Sequence, residues 1–234
     1  MRRKILLFIA VALILPFALE AQNSAKPKKA PPKREMIVYE HAYIWGHYTR
    51  NNSLKGSAID LKSGKTYCLA SVLGEANPAH IDMLCYWGMV GKAKNNNFYL
   101  FAPGNKQVID WSPTSGTIPY CAMVANARNE FGSKASLRYW KVRNATRMQL
   151  KSNKKAHFDT ATLETLDSLS ITADFYILPV KVGDIILFET VSNAYQVKKK
   201  GLMKIVSVED DPDRLDQKGK GWNQKLNVII KIEK

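Results

Sequence analysis

The sequence predicts a mostly β fold: a two-layer antiparallel β-sandwich with one short helix and a loop-rich insertion. Many short segments are rich in β-branched and aromatic residues, and Gly, Pro or Asn turns separate them. Only one segment has leucines at the spacing of an amphipathic helix. Roughly seven to ten short strands with one helix are typical of a sandwich or an open barrel.

The N-terminus has the composition of a secretory signal peptide. Basic residues at 2–4 precede an apolar run at 5–17, and Ala21 offers a small residue for cleavage, with Ala18 as the alternative. The run is short for a transmembrane helix. We therefore expect residues 1–21 to be removed and the mature chain, without a transmembrane segment, to be periplasmic, cell-surface associated or secreted.

Residues 22–35 form a basic, proline-containing stretch with almost nothing to bury, so we expect an extended tether. Residues 36–234 are then a single β-sandwich domain. The formal net charge of +15 is spread along the chain rather than clustered. That distribution and export argue against a nucleic-acid partner, whereas a mild attraction to anionic envelope polymers is expected.

The folded part begins with a strand rich in aromatic residues at 37–48. Strict alternation divides its side chains between two faces of the sheet. One face is predicted to hold Tyr39, His41, Tyr43, Trp45 and His47, and the other Val38, Ala42, Ile44 and Tyr48.

Turn residues bound the strands that follow. Gly64, in the turn 62–65, can take a positive φ. The predicted strands here are 57–61, 66–72, 81–87 and 98–102, with 66–72 and 81–87 paired as a hairpin.

The insertion at 105–135 is broken by prolines and glycines, although 120–128 could form a short helix. Asp159 is predicted to cap a helix at 160–169, which has leucines at 163, 166 and 169. The remaining predicted strands are 137–142, 146–150, 180–189 around the turn 182–184, 201–208 and 226–232.

Three blocks carry a resemblance. The first is GSAIDLKSGKTY (56–67) followed by IDMLCYWG (81–88), the second is NATRM (144–148), and the third is VGDIILFET (182–190) followed by GLMKI (201–205). In this order they resemble a group of secreted or surface-exposed bacterial β-sandwich modules without an established biochemical activity. The resemblance implies a fold and a compartment, and no reaction.

The predicted hairpin bears on two of the three cysteines. If Val72 lies opposite Ile81, Cys68 faces Cys85 on the apolar side. An oxidising compartment permits a disulfide between them. The alternative is two buried free thiols, which is favoured because many facing cysteine pairs lack the geometry that a disulfide requires. No basic context that would activate Cys121 can be read from the sequence.

No spacing indicates a metal or another cofactor. His41 and His47 are roughly 20 Å apart on an extended strand, and His80 with Asp82 lacks a recognisable third ligand. The acids are scattered among turns, so nothing marks a catalytic carboxylate pair. We expect Asp82 to bind a loop backbone or a lysine, with ligand contact as its functional alternative.

Aromatic residues are the other candidates for ligand contact. Trp111 and Trp222 lie in polar, loop-like surroundings, where they could stack on a sugar ring or cap a sheet edge. Tyr86, close to Asp82 in the same predicted strand, is a further candidate. Trp45, Trp87 and Trp140 fall in predicted strands and are expected in the core.

These observations favour an exported, non-catalytic binding module for carbohydrate, an anionic envelope polymer or a surface protein. One alternative is an enzyme that acts on an envelope or dietary polymer through carboxylates, which predicts two acids within roughly 5–10 Å in a cleft. Another is a structural or assembly subunit, which predicts an apolar surface patch or an unpaired edge strand, for example at 226–232.

Overall fold

The computed structural model describes residues 34–46, 56–67, 78–88, 97–104, 140, 142–172, 177–191, 198–210 and 224–234. The predicted helix at 120–128 lies outside these residues. Trp140 and Val142, the described members of the predicted strand 137–142, are not in a strand. No helix in the described ranges combines the length and the apolar character that a membrane crossing requires.

The strands form two antiparallel sheets, which confirms the predicted fold class. The first sheet has the order β1-β10-β9-β8-β6 and the second has the order β3-β2-β4-β5-β7. Apolar side chains from both sheets share one core between them. The strands are β1 (Met36–Trp45), β2 (Ala58–Asp60), β3 (Lys65–Tyr67), β4 (Met83–Gly88), β5 (Asn97–Phe101), β6 (Arg147–Lys151), β7 (Ile177–Val180), β8 (Ile185–Val191), β9 (Lys198–Asp210) and β10 (Gln224–Glu233).

Strand β1 does not keep one alternation along its length. Its register against β10 shifts between Tyr39 and Ala42, as expected for a β-bulge. Tyr39 therefore packs against the same core as Ala42 and Ile44, whereas Val38 is 43% exposed. The predicted division of β1 into two faces is wrong before the bulge, because an extra residue there inverts the alternation.

Strand β10 lies inside the first sheet, between β1 and β9. The predicted edge strand at 226–232 is therefore wrong. Its apolar residues Leu226, Val228 and Ile230 are fully buried, as expected for a strand that is paired on both sides.

The predicted hairpin between 66–72 and 81–87 is wrong for residues 66 and 67, the described members of its first strand. Strand β3 pairs with β2, and β2 lies between β3 and β4. Strand β4 pairs with β5 on its other side. Sequence order therefore differs from spatial order here, because the tight turn at Gly64 pairs β3 with β2.

The turn 181–184 carries the chain from one sheet to the other. Strand β7 belongs to the second sheet and β8 to the first, although the sequence suggests one continuous element around this turn. The Lys181 amide donates to an Asp184 carboxylate oxygen at 2.9 Å, and Gly183 has a φ of +89°.

A helical segment covers part of the outer face of the first sheet. It comprises α1 (Asn153–Ala156), a 3-10 turn (Phe158–Thr160) and α2 (Leu163–Ser168). The side chains of Phe158 and Leu166 pack with Leu187 and Leu202. The predicted cap is wrong, because Thr162 rather than Asp159 caps α2, through a capping box with Thr165.

Candidate functional site

The sequence-predicted site residues fall into two groups. Trp111, Trp222, Cys68 and Cys121 lie outside the described residues, so their roles remain predictions. Asp82, Tyr86 and Cys85 lie in or next to β4.

Asp82 is fully buried at 0% exposure. Its Oδ2 accepts the Leu61 amide at 3.0 Å, and its Oδ1 accepts the Asn144 side-chain amide at 2.9 Å. The Lys62 Nζ lies 3.6 Å from the same Oδ1. Asp82 thus binds a turn backbone and a lysine, the arrangement that the non-catalytic interpretation expects.

Burial raises the pKa of Asp82 from 3.8 to about 7. The positive charge of Lys62 opposes this shift, while the neighbouring Asp60 adds to it. The hydrogen bonds from Leu61 and Asn144 also favour the ionised form. The dominant effect is the removal of the carboxylate from water.

Asp60 serves the turn that follows β2. Its Oδ1 accepts the Lys62 amide at 2.9 Å and its Oδ2 accepts the Ser63 hydroxyl at 2.8 Å, as in an Asx turn. Asp60 and Asp82 are close enough to influence each other, but both are buried and hold internal donors. This pair therefore does not present two carboxylates to a substrate.

Tyr86 lies opposite Tyr99 on the face of β4 and β5 that points away from the inter-sheet core. Its side chain is only 8% exposed, which leaves little of the ring for a ligand to stack on. Burial, followed by the neighbouring Tyr99, raises the pKa of Tyr86 to about 12.

Cys85 is a free, buried thiol in the inter-sheet core. Its neighbours across β4 are Leu100 in β5 and Ser57, whose carbonyl accepts the Cys85 amide at 2.7 Å. Strand β2 lies on that side of β4, with Ala58 opposite Leu84. Cys68 is outside the described residues, so its pairing with Cys85 stays a prediction. Burial raises the pKa of the Cys85 thiol well above its usual range, so the thiol is not a nucleophile.

His80, the histidine nearest to Asp82 in sequence, lies in a 3-10 turn and is exposed. In the described ranges, no three His, Cys, Asp or Glu residues come together in an arrangement that could hold a metal ion.

A cationic surface that the sequence did not predict surrounds the C-terminal end of α2. Three cations from β6 and β9 donate to three successive backbone carbonyls. Lys200 Nζ binds the Leu169 carbonyl, Lys151 Nζ binds that of Ser170 at 2.7 Å, and an Arg147 nitrogen binds that of Ile171 at 3.2 Å. Lys155 and Lys198 extend this surface, and we call the five residues the basic cluster: Arg147, Lys151, Lys155, Lys198 and Lys200.

The cations of the basic cluster influence one another. Burial, followed by the positive charges of Lys155 and Lys200, lowers the pKa of Lys151. Glu189 partly offsets the positive charge of the cluster, because its carboxylate lies 3.8 Å from Arg147 and 3.6 Å from Lys198. The Lys198 side chain is nevertheless 69% exposed. The carbonyls of residues 169–171 therefore hold three cations in place, while other members of the cluster remain exposed to solvent.

The carbonyl contacts also have a purely structural role, because the three residues that follow α2 gain hydrogen-bond donors for their backbone carbonyls. A lysine ammonium has three donors, so a bond to a carbonyl fixes its position and leaves capacity for an anionic group. Arg147, Lys151 and Lys200 come together because β6 and β9 flank β8. The strand order of the sheet brings these residues together, and their positions in the sequence do not predict it.

No protein-family model, curated protein or solved structure matches this chain.

Proposed function

We propose that this protein is an exported, non-catalytic binding module that recognises an anionic envelope polymer through the basic cluster. The signal-peptide-like residues 1–21 support export, and the basic composition supports an anionic partner. The resemblance of the three sequence blocks to surface β-sandwich modules is part of the same proposal.

The observation that carries the proposal is the fixation of Arg147, Lys151 and Lys200 by successive carbonyls at one end of α2. Flexible surface lysines lose side-chain entropy when they bind a partner. Cations that the fold already holds lose less, so they bind an anion more tightly than scattered lysines do.

A polymer-cleaving enzyme has less support. Such an enzyme needs two acids that reach the same substrate bond. Asp60 and Asp82 are the adjacent acids around β2 and β4, and their carboxylates bind the protein's own turns.

The proposal is tested by the retention of mature residues 22–234 on immobilised polygalacturonate, dextran sulfate and poly-glutamate at low and high salt. The variant pair Lys155→Gln/Lys198→Gln removes two exposed cations of the cluster for which the structure shows no bond to the carbonyls of residues 169–171. The matched control pair Lys65→Gln/Lys181→Gln removes two exposed lysines elsewhere. An exposed charge contact contributes about 0.5–1 kcal/mol, so the loss of two such contacts should weaken binding about five- to thirtyfold.

The control pair should change binding much less, although it changes the net charge equally. If both pairs weaken binding equally, the lysines attract polyanions only through their total charge, without a specific site. No retention of the unaltered protein on any polyanion would overturn the proposal and favour a protein partner. In the same assay, Trp111→Ala and Trp222→Ala test the loop contacts that the sequence predicts.

A further inference from the structure

Asn144 has a buried side-chain oxygen to which no group in the described part of the chain donates. The residue is completely buried. Its Nδ2 donates to the Ala79 carbonyl at 2.8 Å and to Asp82 Oδ1 at 2.9 Å, whereas its Oδ1 has no donor. Because buried polar atoms are nearly always paired, the unpaired oxygen of Asn144 indicates that this amide has a second arrangement.

The Asp82 carboxylate receives hydrogen-bond donors at both of its oxygens. The Leu61 amide donates to Oδ2 at 3.0 Å and Asn144 Nδ2 donates to Oδ1. The Lys62 ammonium lies 3.6 Å from the same Oδ1. An ionised carboxylate only accepts hydrogen bonds, whereas a protonated one also has a donor to place. Among the described contacts of Asp82, none offers an acceptor to that proton.

A half-turn of the Asn144 amide would satisfy the unpaired oxygen and the protonated carboxyl group together. The half-turn exchanges the positions of Nδ2 and Oδ1, so that Asn144 Oδ1 faces the carboxyl group and accepts its proton. The same movement directs Nδ2 away from the Ala79 carbonyl. The orientation of Asn144 therefore depends on whether Asp82 carries a proton.

We propose that Asp82 and Asn144 form a proton-dependent latch between the 3-10 turn Pro78–His80 and the segment that leads into β6. When Asp82 is ionised, the Asn144 amide holds the Ala79 carbonyl and the latch is closed. When Asp82 takes up a proton from solvent, the amide reverses and the latch opens. The Gly104 amide donates to the backbone carbonyl of Asn144 at 2.8 Å in either orientation of the side chain, so we expect the opening to be local.

The latch should change state near neutral pH. Burial raises the pKa of Asp82 to about 7, while the charge of Lys62 lowers it and that of Asp60 raises it further. Both forms of Asp82 are then populated at neutral pH, as a switch between two states requires. The charged or titratable side chains on the surrounding elements are Asp60 in β2, Lys62 in the turn after β2, His80 in the 3-10 turn and Arg143 next to Asn144.

The test follows the Asn144 side-chain amide by NMR in the isotope-labelled mature chain, residues 22–234. Nuclear Overhauser effects (NOEs) between the amide protons of Asn144 and the protons of Ala79 report the closed latch. These NOEs should be strong above about pH 8 and about fivefold weaker below about pH 6. The midpoint should lie near the pKa of Asp82.

Three variants assign the change to Asp82. Asp82→Asn has its own side-chain amide, which can donate to Asn144 Oδ1, so it should lack the NOEs to Ala79 at every pH. Lys62→Gln removes a charge that lowers the pKa of Asp82, so it should move the midpoint to higher pH. His80→Gln is the control, because a histidine changes its charge in the same pH range, and it should leave the transition in place.

NOEs between Asn144 and Ala79 that stay constant with pH, or that weaken as the pH rises, would overturn the proposal. Loss of the transition in His80→Gln, or strong NOEs in Asp82→Asn, would also overturn it. If Asp82→Asn fails to fold, the titrations of the unaltered protein, Lys62→Gln and His80→Gln still decide the matter. None of these measurements uses a polyanion, so the latch and the proposed function are tested separately.

Discussion

Asn144 donates its side-chain amide to the Asp82 carboxylate at 2.9 Å, although 62 residues separate the two in sequence. The same amide group donates to the Ala79 carbonyl at 2.8 Å. Asn144 therefore fastens the segment before β6 to the 3-10 turn before β4. The contact links the segment that leads into β6 of the first sheet with the segment that leads into β4 of the second sheet.

Replacement of Asn144 by Ala should destabilise the fold. The change removes two buried hydrogen bonds, one to a backbone carbonyl and one to a carboxylate. Such bonds contribute about 0.5–1.5 kcal/mol to a neutral acceptor and about 1.5–3 kcal/mol to a charged one. We expect a loss of about 2–4 kcal/mol in the free energy of unfolding, measured by urea denaturation. Asn97→Ala, an exposed asparagine at the start of β5, is the control. Equal stabilities of the two variants would contradict this role of Asn144.

Asp82 should make stability depend on pH. Its pKa is about 7 in the folded protein against 3.8 for an ordinary Asp, so the folded state keeps a proton that the unfolded chain releases. The free energy of unfolding should therefore fall as the pH rises from about 4 to about 7, and level off above that range. Asp82→Asn should remove this slope, as measured by urea unfolding at a series of pH values.

Other acids act in the opposite direction at lower pH. Hydrogen bonding to Arg34 lowers the pKa of Asp167, and Glu209 is also held below its ordinary value. Their contributions are lost only as the pH falls below about 5. The difference between the unaltered protein and Asp82→Asn between about pH 5 and 8 therefore isolates Asp82, and a difference that does not change with pH would refute the assignment.

Local sequence patterns predicted most of the strands, because each depends on a short apolar stretch bounded by a turn. The turn between β2 and β3 is an example, because the predicted positive φ of Gly64 is observed there. The bulge in β1 was missed because alternation alone does not show where an extra residue is accommodated. The crossing between sheets at 181–184 was missed for a related reason: a tight turn has the same composition whether or not its strands pair.

The candidate sites were less predictable than the strands. Arg147, Lys151 and Lys200 converge only once β6 and β9 lie on either side of β8. Asp82 could be foreseen as a partner of a loop backbone or a lysine, whereas its complete burial and its bond to Asn144 depend on tertiary structure.

Gly64 and Gly183 should respond differently to replacement by Ala. Both have positive φ, of +68° and +89°, a conformation that costs a residue with a side chain about 1–2 kcal/mol. A Cβ at Gly64 would also lie 2.6 Å from the Tyr39 ring, whereas nothing lies within 4 Å of one at Gly183. Gly64→Ala should therefore lower the melting temperature more than Gly183→Ala. The reverse order would show that the Tyr39 ring moves aside without loss.

Thr162 and Asp159 distinguish the observed cap of α2 from the one that the sequence suggested. The Thr162 hydroxyl accepts the Thr165 amide at 3.3 Å, and the Thr165 hydroxyl accepts the Thr162 amide at 3.1 Å. Thr162→Ala should therefore cost about 1 kcal/mol of stability. The exposed Asp159 carboxylate contacts Lys204 at 3.0 Å, and an exposed ion pair contributes little. Asp159→Ala should therefore be the milder change in thermal unfolding, and a larger loss in Asp159→Ala than in Thr162→Ala would place the cap at Asp159 after all.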